Sequence, residues 1–125
     1  MALIKGKITN WRITNCTVAM DVQTEGELCL QVDREAKINP PINPNDHTAL
    51  FLLRVHVITK DTDEINIDVQ GEFVFEFEEI PTDYNQDARH VCIDLAENEI
   101  FTLIDRVLQD MNYPVLDLLG KKLQK

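Results

Sequence analysis

The sequence predicts an α+β domain, in which an antiparallel sheet is followed by one C-terminal helix. Two observations carry this prediction. Apolar and polar residues alternate with a period of two over much of residues 16–77, and the apolar spacing changes to three and four over residues 100–111. Strands first and helix last is the order typical of α+β proteins. The 125 residues suit one domain, which we place at 1–125.

Four segments show the alternation of a strand with one buried and one wet face. They cover residues 16–22, 27–38, 49–59 and 64–77, and residues 3–14 are expected to be extended as well, although their alternation is weak. Arg34 interrupts the apolar face of the second segment, which favours a bulge or a sheet edge there. Gly71 interrupts the fourth, which favours a bulge or the close approach of another element.

A proline-rich segment separates the second and third predicted strands. Residues 39–46 contain Pro40, Pro41 and Pro44, which remove backbone donors and exclude both a helix and a central strand. The segment is longer than the two to five residues of a usual hairpin loop. We therefore expect it to cross over to a non-adjacent strand.

The C-terminal helix is predicted from a single apolar stripe. Asp94 is a suitable N-cap, with Glu97 as its capping-box partner, and the segment 112–114 contains the proline that ends the helix. Residues 83–87 and His90 are assigned to a polar linker before it. The stripe consists of Ile100, Leu103, Ile104, Val107 and Leu108.

Composition and charge exclude several classes of function. The formal net charge of −10 disfavours binding to nucleic acid or to an anionic membrane surface, and it fits either plain solubility or a basic protein partner. The three cysteines form no CxxC pair, which favours reduced thiols over a disulfide framework. Since we find no signal peptide and no membrane-spanning run, we expect a cytoplasmic protein with no membrane insertion.

No catalytic motif is recognisable, so an enzyme is not predicted. His47, His56 and His90 are far apart in sequence, and only a triad assembled in space would combine them. The carboxylates of residues 72–87 could bind a metal or act as acid and base, but a solvated surface is the commoner reason for such residues. We predict no catalytic residue, no metal and no cofactor.

Two apolar rows have alternative interpretations. Phe73, Phe75 and Phe77 form either part of the core or a binding platform, and the core is favoured because a helix stripe is available to cover them. Leu50, Leu52 and Ile58 lie on the opposite face of their strand from the row that begins with Phe51. Apolar residues on both faces indicate either a subunit interface or a ligand groove, and both remain open.

The order of elements and the last third of the chain resemble the SecB family of export chaperones. The family's closing strand resembles residues 73–77, Phe-Val-Phe-Glu-Phe, and its long helix corresponds to residues 97–108. The segment 112–118, Asn-Tyr-Pro-Val-Leu-Asp-Leu, is similar to the aromatic, proline and leucine pattern that closes that helix. Residues 96–99, Ala-Glu-Asn-Glu, depart from the family's usual helix start, which indicates a divergent member.

The resemblance implies a four-stranded Greek-key sheet with a long crossover loop. It implies an ATP-independent holdase that assembles as a dimer or tetramer with helices between the sheets and binds unfolded or extended polypeptide in apolar grooves. Its role would lie in protein export, beside a toxin–antitoxin pair, or with a phage. The alternative is a non-catalytic structural or assembly protein that self-associates or binds one folded partner. On the chaperone hypothesis, Ile42, Leu50, Leu52 and Ile58 form a client groove or interface, and the helix stripe is the oligomer face.

Overall fold

The computed structural model describes residues 5–20, 30–43, 45–60, 65–113 and 116–123. A sheet is followed by a long helix, as the apolar periodicity predicts, and by a short second helix that was not predicted. A π-helical turn, Tyr84–Ala88, leads directly into the long helix. The strands are β1 (Gly6–Met20), β2 (Leu30–Asn39), β3 (Thr48–Thr59) and β4 (Ile65–Phe77), and the helices are α1 (Arg89–Asp110) and α2 (Leu118–Leu123).

The four strands form one sheet in the order β1-β4-β3-β2, and every neighbouring pair is antiparallel. Three consecutive strands, β2, β3 and β4, are therefore neighbours, and β1 returns to lie beside β4. This is the Greek-key arrangement. The predicted α+β class and Greek-key sheet are confirmed.

The crossover, however, does not lie in the proline-rich segment, and that prediction was wrong. β2 and β3 are adjacent, with Asn39 opposite Leu50, so the segment described over residues 40–43 and 45–47 belongs to a wide loop between neighbouring strands. The prolines exclude a tight turn, but they do not prevent such a loop. The consecutive strands that are not neighbours are β1 and β2, which occupy opposite edges of the sheet. The sequence also predicts a short turn at Gly26, which falls in residues 21–29, outside the described part of the chain.

One face of the sheet, which we call the covered face, packs against α1. Along β3 and β4 the side chains alternate strictly between buried and partly exposed. Phe73, Phe75 and Phe77 are at most 1% exposed and belong to the core, as favoured by the sequence. Fully burying a large apolar side chain contributes roughly 1.5–3 kcal/mol, so this phenylalanine row is a main source of stability.

The weak alternation of the N-terminal segment has a structural cause. β1 is one continuous strand with two irregularities in its pairing to β4, between Ile8 and Asn10 and between Ile13 and Asn15. Each bulge adds one residue and inverts the alternation. Trp11 thereby stays on the covered face, where its ring stacks on Phe73 with centroids 5.5 Å apart and an angle of 8°.

Gly71 is a place of close approach, as expected. A Cβ atom at this position would lie 2.9 Å from the Phe73 ring and 3.3 Å from the Ile13 side chain. The glycine therefore makes room for the ring that stacks on Trp11.

The long helix begins five residues before the predicted N-cap. α1 starts at Arg89 after Ala88, which makes no side-chain capping hydrogen bond, so Asp94 lies inside the helix and His90 in its first turn. The predicted linker over 83–87 is wrong because most of it forms the π-helical turn. The helix starts earlier than predicted because small residues extend its buried stripe toward the N-terminus at intervals of four. Ala88, Cys92 and Ala96 are each 0% exposed. The capping side chain lies before the π-helical turn instead: the Asp83 Oδ1 atom accepts a hydrogen bond from the Gln86 backbone N–H at 3.3 Å.

Candidate functional site

The face of the sheet opposite α1, which we call the open face, carries the candidate site. Even-numbered residues of β3 and β4 point to it and are partly exposed or exposed, whereas the odd-numbered ones are buried. No described helix packs on this face. Leu50, Leu52 and Ile58 all lie on it, which is the wrong side for the core of this chain.

The first depression on the open face lies beside the proline-rich loop, and we call it the loop groove. It has an empty volume of about 820 Å³, open to solvent. Ile42 in the loop is 104% exposed, and Leu50 stands directly opposite Val74 of β4. The apolar part of its lining comes from Pro40, Pro41, Ile42, Ala49, Leu50 and Val74. A proline-rich loop wall and an apolar floor suit an extended apolar segment.

The second depression, the central groove, adjoins the first across the middle of the sheet. It has an empty volume of about 820 Å³, also open to solvent. Leu52 lies on it, flanked in register by Lys37 of β2 and Glu72 of β4. Since Leu50 and Leu52 are two residues apart on the same face of β3, their side chains are roughly 7 Å apart, and we call the two neighbouring grooves together the track.

Ion pairs border this track and neutralise Arg12 and Arg54. The Arg12 Nε atom lies 2.7 Å from a Glu72 carboxylate oxygen, and an Arg54 nitrogen lies 2.6 Å from an Asp68 oxygen. Hydrogen bonds from the Arg54 guanidinium lower the pKa of Asp68 below its ordinary value. Lys37 makes no ion pair with any residue that the structure describes.

A third and smaller depression continues along the open face. Its empty volume is about 470 Å³, and it is lined by Asp33, Arg34, Glu35, Arg54 and His56. The His56 Nε2 atom lies 2.8 Å from the Asn66 Oδ1 atom. The open face thus passes from an apolar end at the loop to a charged middle.

Comparison with known proteins gives one informative result. No protein-family model matches the sequence, and no curated protein sequence matches it significantly. A solved structure, the Mycobacterium tuberculosis Rv1957 SecB-like chaperone in complex with a ChAD peptide from the Rv1956 HigA1 antitoxin, is similar with a TM-score of 0.71. The match covers 90% of this chain and 87% of that chain at 15% identity. This chain has the SecB-like fold. At that identity the similarity establishes the fold alone.

On this SecB-like sheet, three of the four predicted groove residues lie at one end. Ile42 and Leu50 line the loop groove, and Leu52 lies next to them in the central groove. Ile58 is opposite Asn66 near the other end of β3, eight residues or roughly 26 Å from Leu50. The structure therefore brings together Ile42, Leu50 and Leu52 and leaves Ile58 apart from them. Their role in binding stays a prediction.

The predicted oligomer face divides into two groups. Ile100, Ile104 and Leu108 are at most 1% exposed, because they pack in the core of the chain itself. Leu103 and Val107 are partly exposed on the flank of α1. Only these two members of the stripe are left to contact another molecule.

Sequence reasoning missed Val74, Pro40 and Pro41 as groove residues. Val74 could have been found, because it is the one apolar residue among the even-numbered positions 66–76 of β4. Pro40 and Pro41 carry a sequence signal for a chain break, which does not by itself indicate a groove wall.

The side chains that could take part in catalysis or metal binding are dispersed over the described part of the chain. It contains no group of three or more His, Cys, Asp or Glu side chains that could hold a metal ion. Burial raises the pKa of the Cys92 thiol to about 12, so this cysteine is protonated and a poor nucleophile at neutral pH. His47, His56 and His90 lie in the loop, on the open face and in α1, respectively. Among the described helices, none is long and apolar enough to cross a membrane.

Proposed function

We propose that this protein is an ATP-independent holdase chaperone that binds unfolded or extended polypeptide on the open face of its sheet. The observation that carries the proposal is the track formed by two neighbouring depressions, the loop groove and the central groove. The SecB-like fold supports it, and so does the description of Rv1957 as a chaperone in complex with an antitoxin peptide. We propose the same class of ligand here, in protein export or with a toxin–antitoxin system.

The binding energy in this proposal comes from apolar burial. A client side chain that covers Leu50, Leu52 and Val74 removes apolar surface from water, at about 25 cal/mol per Å². Such binding is non-directional and needs no chemical step, so many client sequences fit. The acidic surface, with a formal net charge of −10, keeps a protein with exposed apolar patches dispersed and suits a basic partner.

We further propose a cytoplasmic homo-oligomer, a dimer or tetramer. Leu103 and Val107 on α1 are partly exposed, and Trp11 on the neighbouring edge strand is 36% exposed. Apolar side chains left uncovered in this way support a subunit contact on the β1 side of the molecule.

The second candidate is a structural or assembly protein that uses the same apolar residues to bind itself or one folded partner. The exposed Trp11 and Ile42 support this structural role as well as they support the chaperone role, because a contact between subunits covers apolar surface just as a client does. The two candidates differ in whether an unfolded chain is bound.

The test is fluorescence anisotropy of a labelled, permanently unfolded polypeptide titrated with this protein. We expect saturable binding that does not change when ATP is added. The Leu50→Ser/Leu52→Ser variant should bind at least tenfold more weakly. The control is Met111→Ser, which removes a side chain that is 43% exposed after the end of α1, away from the grooves. Absence of binding by the unchanged protein, with oligomerisation intact, would favour the structural role.

A further inference from the structure

We infer that Tyr84, at the start of the π-helical turn, is a positioning residue that holds the proline-rich wall of the loop groove in place. This inference rests on the proposed function, because it concerns how tightly that groove holds a client. Tyr84 lines none of the three depressions. It acts through the loop instead, by a hydrogen bond to the segment that follows the prolines.

Two consecutive backbone carbonyls attach the end of the loop to the rest of the chain. The His47 carbonyl accepts a hydrogen bond of 2.9 Å from the backbone N–H of Phe77, the last residue of β4. The Asp46 carbonyl accepts a hydrogen bond of 3.4 Å from the Tyr84 hydroxyl. The first bond lies within the sheet. The second joins the loop to the helical part of the chain, 38 residues further along the sequence.

Asp46 passes this restraint on to the wall of the groove. Its backbone N–H donates to the Asn43 carbonyl at 3.0 Å. Its Oδ1 atom accepts hydrogen bonds from the Thr48 backbone N–H at 3.1 Å and from the Thr48 hydroxyl at 3.0 Å. Asn43, Asp46 and Thr48 all line the loop groove. A displacement of the Asp46 backbone therefore moves the groove wall.

The rest of the loop, as far as the structure describes it, is weakly restrained. Pro40 and Pro41 carry no N–H donor. Ile42 is fully exposed, so its side chain does not hold the loop in place. A loop that loses its anchor occupies more conformations, and a client must then order it on binding. The tyrosine bond therefore strengthens binding by preorganising the wall.

Tyr84 is itself held in a fixed orientation. Its ring packs edge-on against the buried ring of Phe77, with centroids 6.0 Å apart and an angle of 72°. The turn that it begins is closed by Asp83, which accepts from the Gln86 N–H at 3.3 Å and donates its own N–H to an Asp87 carboxylate oxygen at 3.1 Å. π-helical turns are rare and often occur at functional sites. The two aspartates thus help to place the phenol.

The Tyr84 hydroxyl stays a hydrogen-bond donor at neutral pH. Burial and, to a smaller extent, the Asp46 carboxylate raise the pKa of the Tyr84 phenol above its ordinary value. A protonated phenol donates to the Asp46 carbonyl, whereas a phenolate has no proton to donate.

The decisive experiment compares Tyr84→Phe with Tyr113→Phe. The first variant removes only the hydroxyl and leaves the ring against Phe77. The second is the matched control, because the Tyr113 hydroxyl also donates to a backbone carbonyl at 3.4 Å, that of Met20. Met20 lies opposite Ile65 at the start of β4, at the other end of the sheet from the loop.

Binding of the labelled, permanently unfolded polypeptide is measured with both variants. We expect Tyr84→Phe to weaken binding by about three- to tenfold, the range of one neutral hydrogen bond, and Tyr113→Phe to leave it within about twofold. Urea denaturation should show both variants folded and of similar stability. Equal affinities of the two variants would overturn the inference.

Hydrogen exchange of the free protein tests the anchor without a client. The backbone amides of Asp46 and Thr48 should exchange at least about threefold faster in Tyr84→Phe than in the unchanged protein. Tyr113→Phe should leave these rates unchanged, and amides in the middle of β4 should exchange alike in all three proteins. Unchanged exchange at Asp46 and Thr48 in Tyr84→Phe would overturn the inference.

These outcomes separate the inference from the proposed function. If unfolded polypeptide binds and Leu50→Ser/Leu52→Ser weakens it, but Tyr84→Phe does not, the anchor inference fails and the chaperone proposal stands. If the unchanged protein binds no unfolded polypeptide, both fail, whatever the exchange rates are.

Discussion

Arg34 of the edge strand β2 forms an ion pair with Glu97 of helix α1, and that carboxylate is 3% exposed. The arginine side chain itself is 39% exposed. A charged residue in the apolar face of β2 therefore has a structural partner, and the pair ties the edge strand to the helix on the covered face.

The first prediction follows from this unequal burial. Arg34→Met should lower the free energy of unfolding by about 2–3 kcal/mol, because it removes the cation beside a buried carboxylate. Glu97→Gln should cost only about 1 kcal/mol, since the remaining arginine can turn into water. Urea denaturation at pH 7 measures both. Equal costs, or a larger cost for Glu97→Gln, would show that the burial of the two partners does not control the stability of the pair.

The second prediction concerns the packing beneath the Trp11–Phe73 stack. Gly71→Ala should destabilise the protein by about 1–3 kcal/mol, because its Cβ atom would lie 2.9 Å from the Phe73 ring. In a Phe73→Leu background the same substitution should cost less, since the ring that it meets is gone. Thermal unfolding of the four proteins measures the coupling, and strictly additive effects would contradict the close approach.

The third prediction is a pH dependence on the open face. Hydrogen bonds from Arg54 lower the pKa of Asp68 from 3.8, so the carboxylate stabilises the folded state above that value. This contribution is lost as the pH falls through the lowered pKa. The wild-type protein should therefore exceed Asp68→Asn in stability by up to about 1 kcal/mol at pH 7, and the difference should shrink as the pH falls below 3.8.

An Arg54→Met background supplies the control for that pH dependence. Without the guanidinium, Asp68→Asn should produce a smaller difference in the denaturation midpoint at pH 7. A difference that persists undiminished in this background would assign the effect to another group.

The fourth prediction concerns the thiol in the core. Cys92 is 0% exposed, and burial raises its pKa to about 12. In a Cys16→Ser/Cys29→Ser variant, alkylation of Cys92 at pH 8 should be slower than that of the urea-unfolded protein by at least a hundredfold. Alkylation at the rate of the unfolded protein would place this residue outside a stable core.

The class of the fold and the faces of its central strands could be predicted from sequence, because alternation directly reports burial in β3 and β4. The N-terminal strand resisted this approach, since the bulges near Asn10 and Asn15 invert the alternation twice. The start of α1 was missed because Ala88 and Cys92 are small and do not show as an apolar stripe.

The candidate site was only partly predictable. Leu50 and Leu52 stand out as apolar residues on the wrong side of a strand, and Ile42 as an apolar residue in a polar loop. Val74 and Lys37 belong to the site because they lie opposite Leu50 and Leu52 on the strands that pair with β3. A local sequence pattern does not specify which strands pair. The crossover was misplaced for the same reason, since loop length alone does not show which strands are neighbours.

The central claim, that the open face holds unfolded chains, is tested most directly by light scattering of an aggregating client protein diluted from denaturant. With this protein present at one or two equivalents and no ATP, scattering should fall by at least half. The Leu50→Ser/Leu52→Ser variant should lose most of this effect, while Met111→Ser keeps it. Undiminished aggregation with the unchanged protein, or equal protection by both variants, would contradict the account.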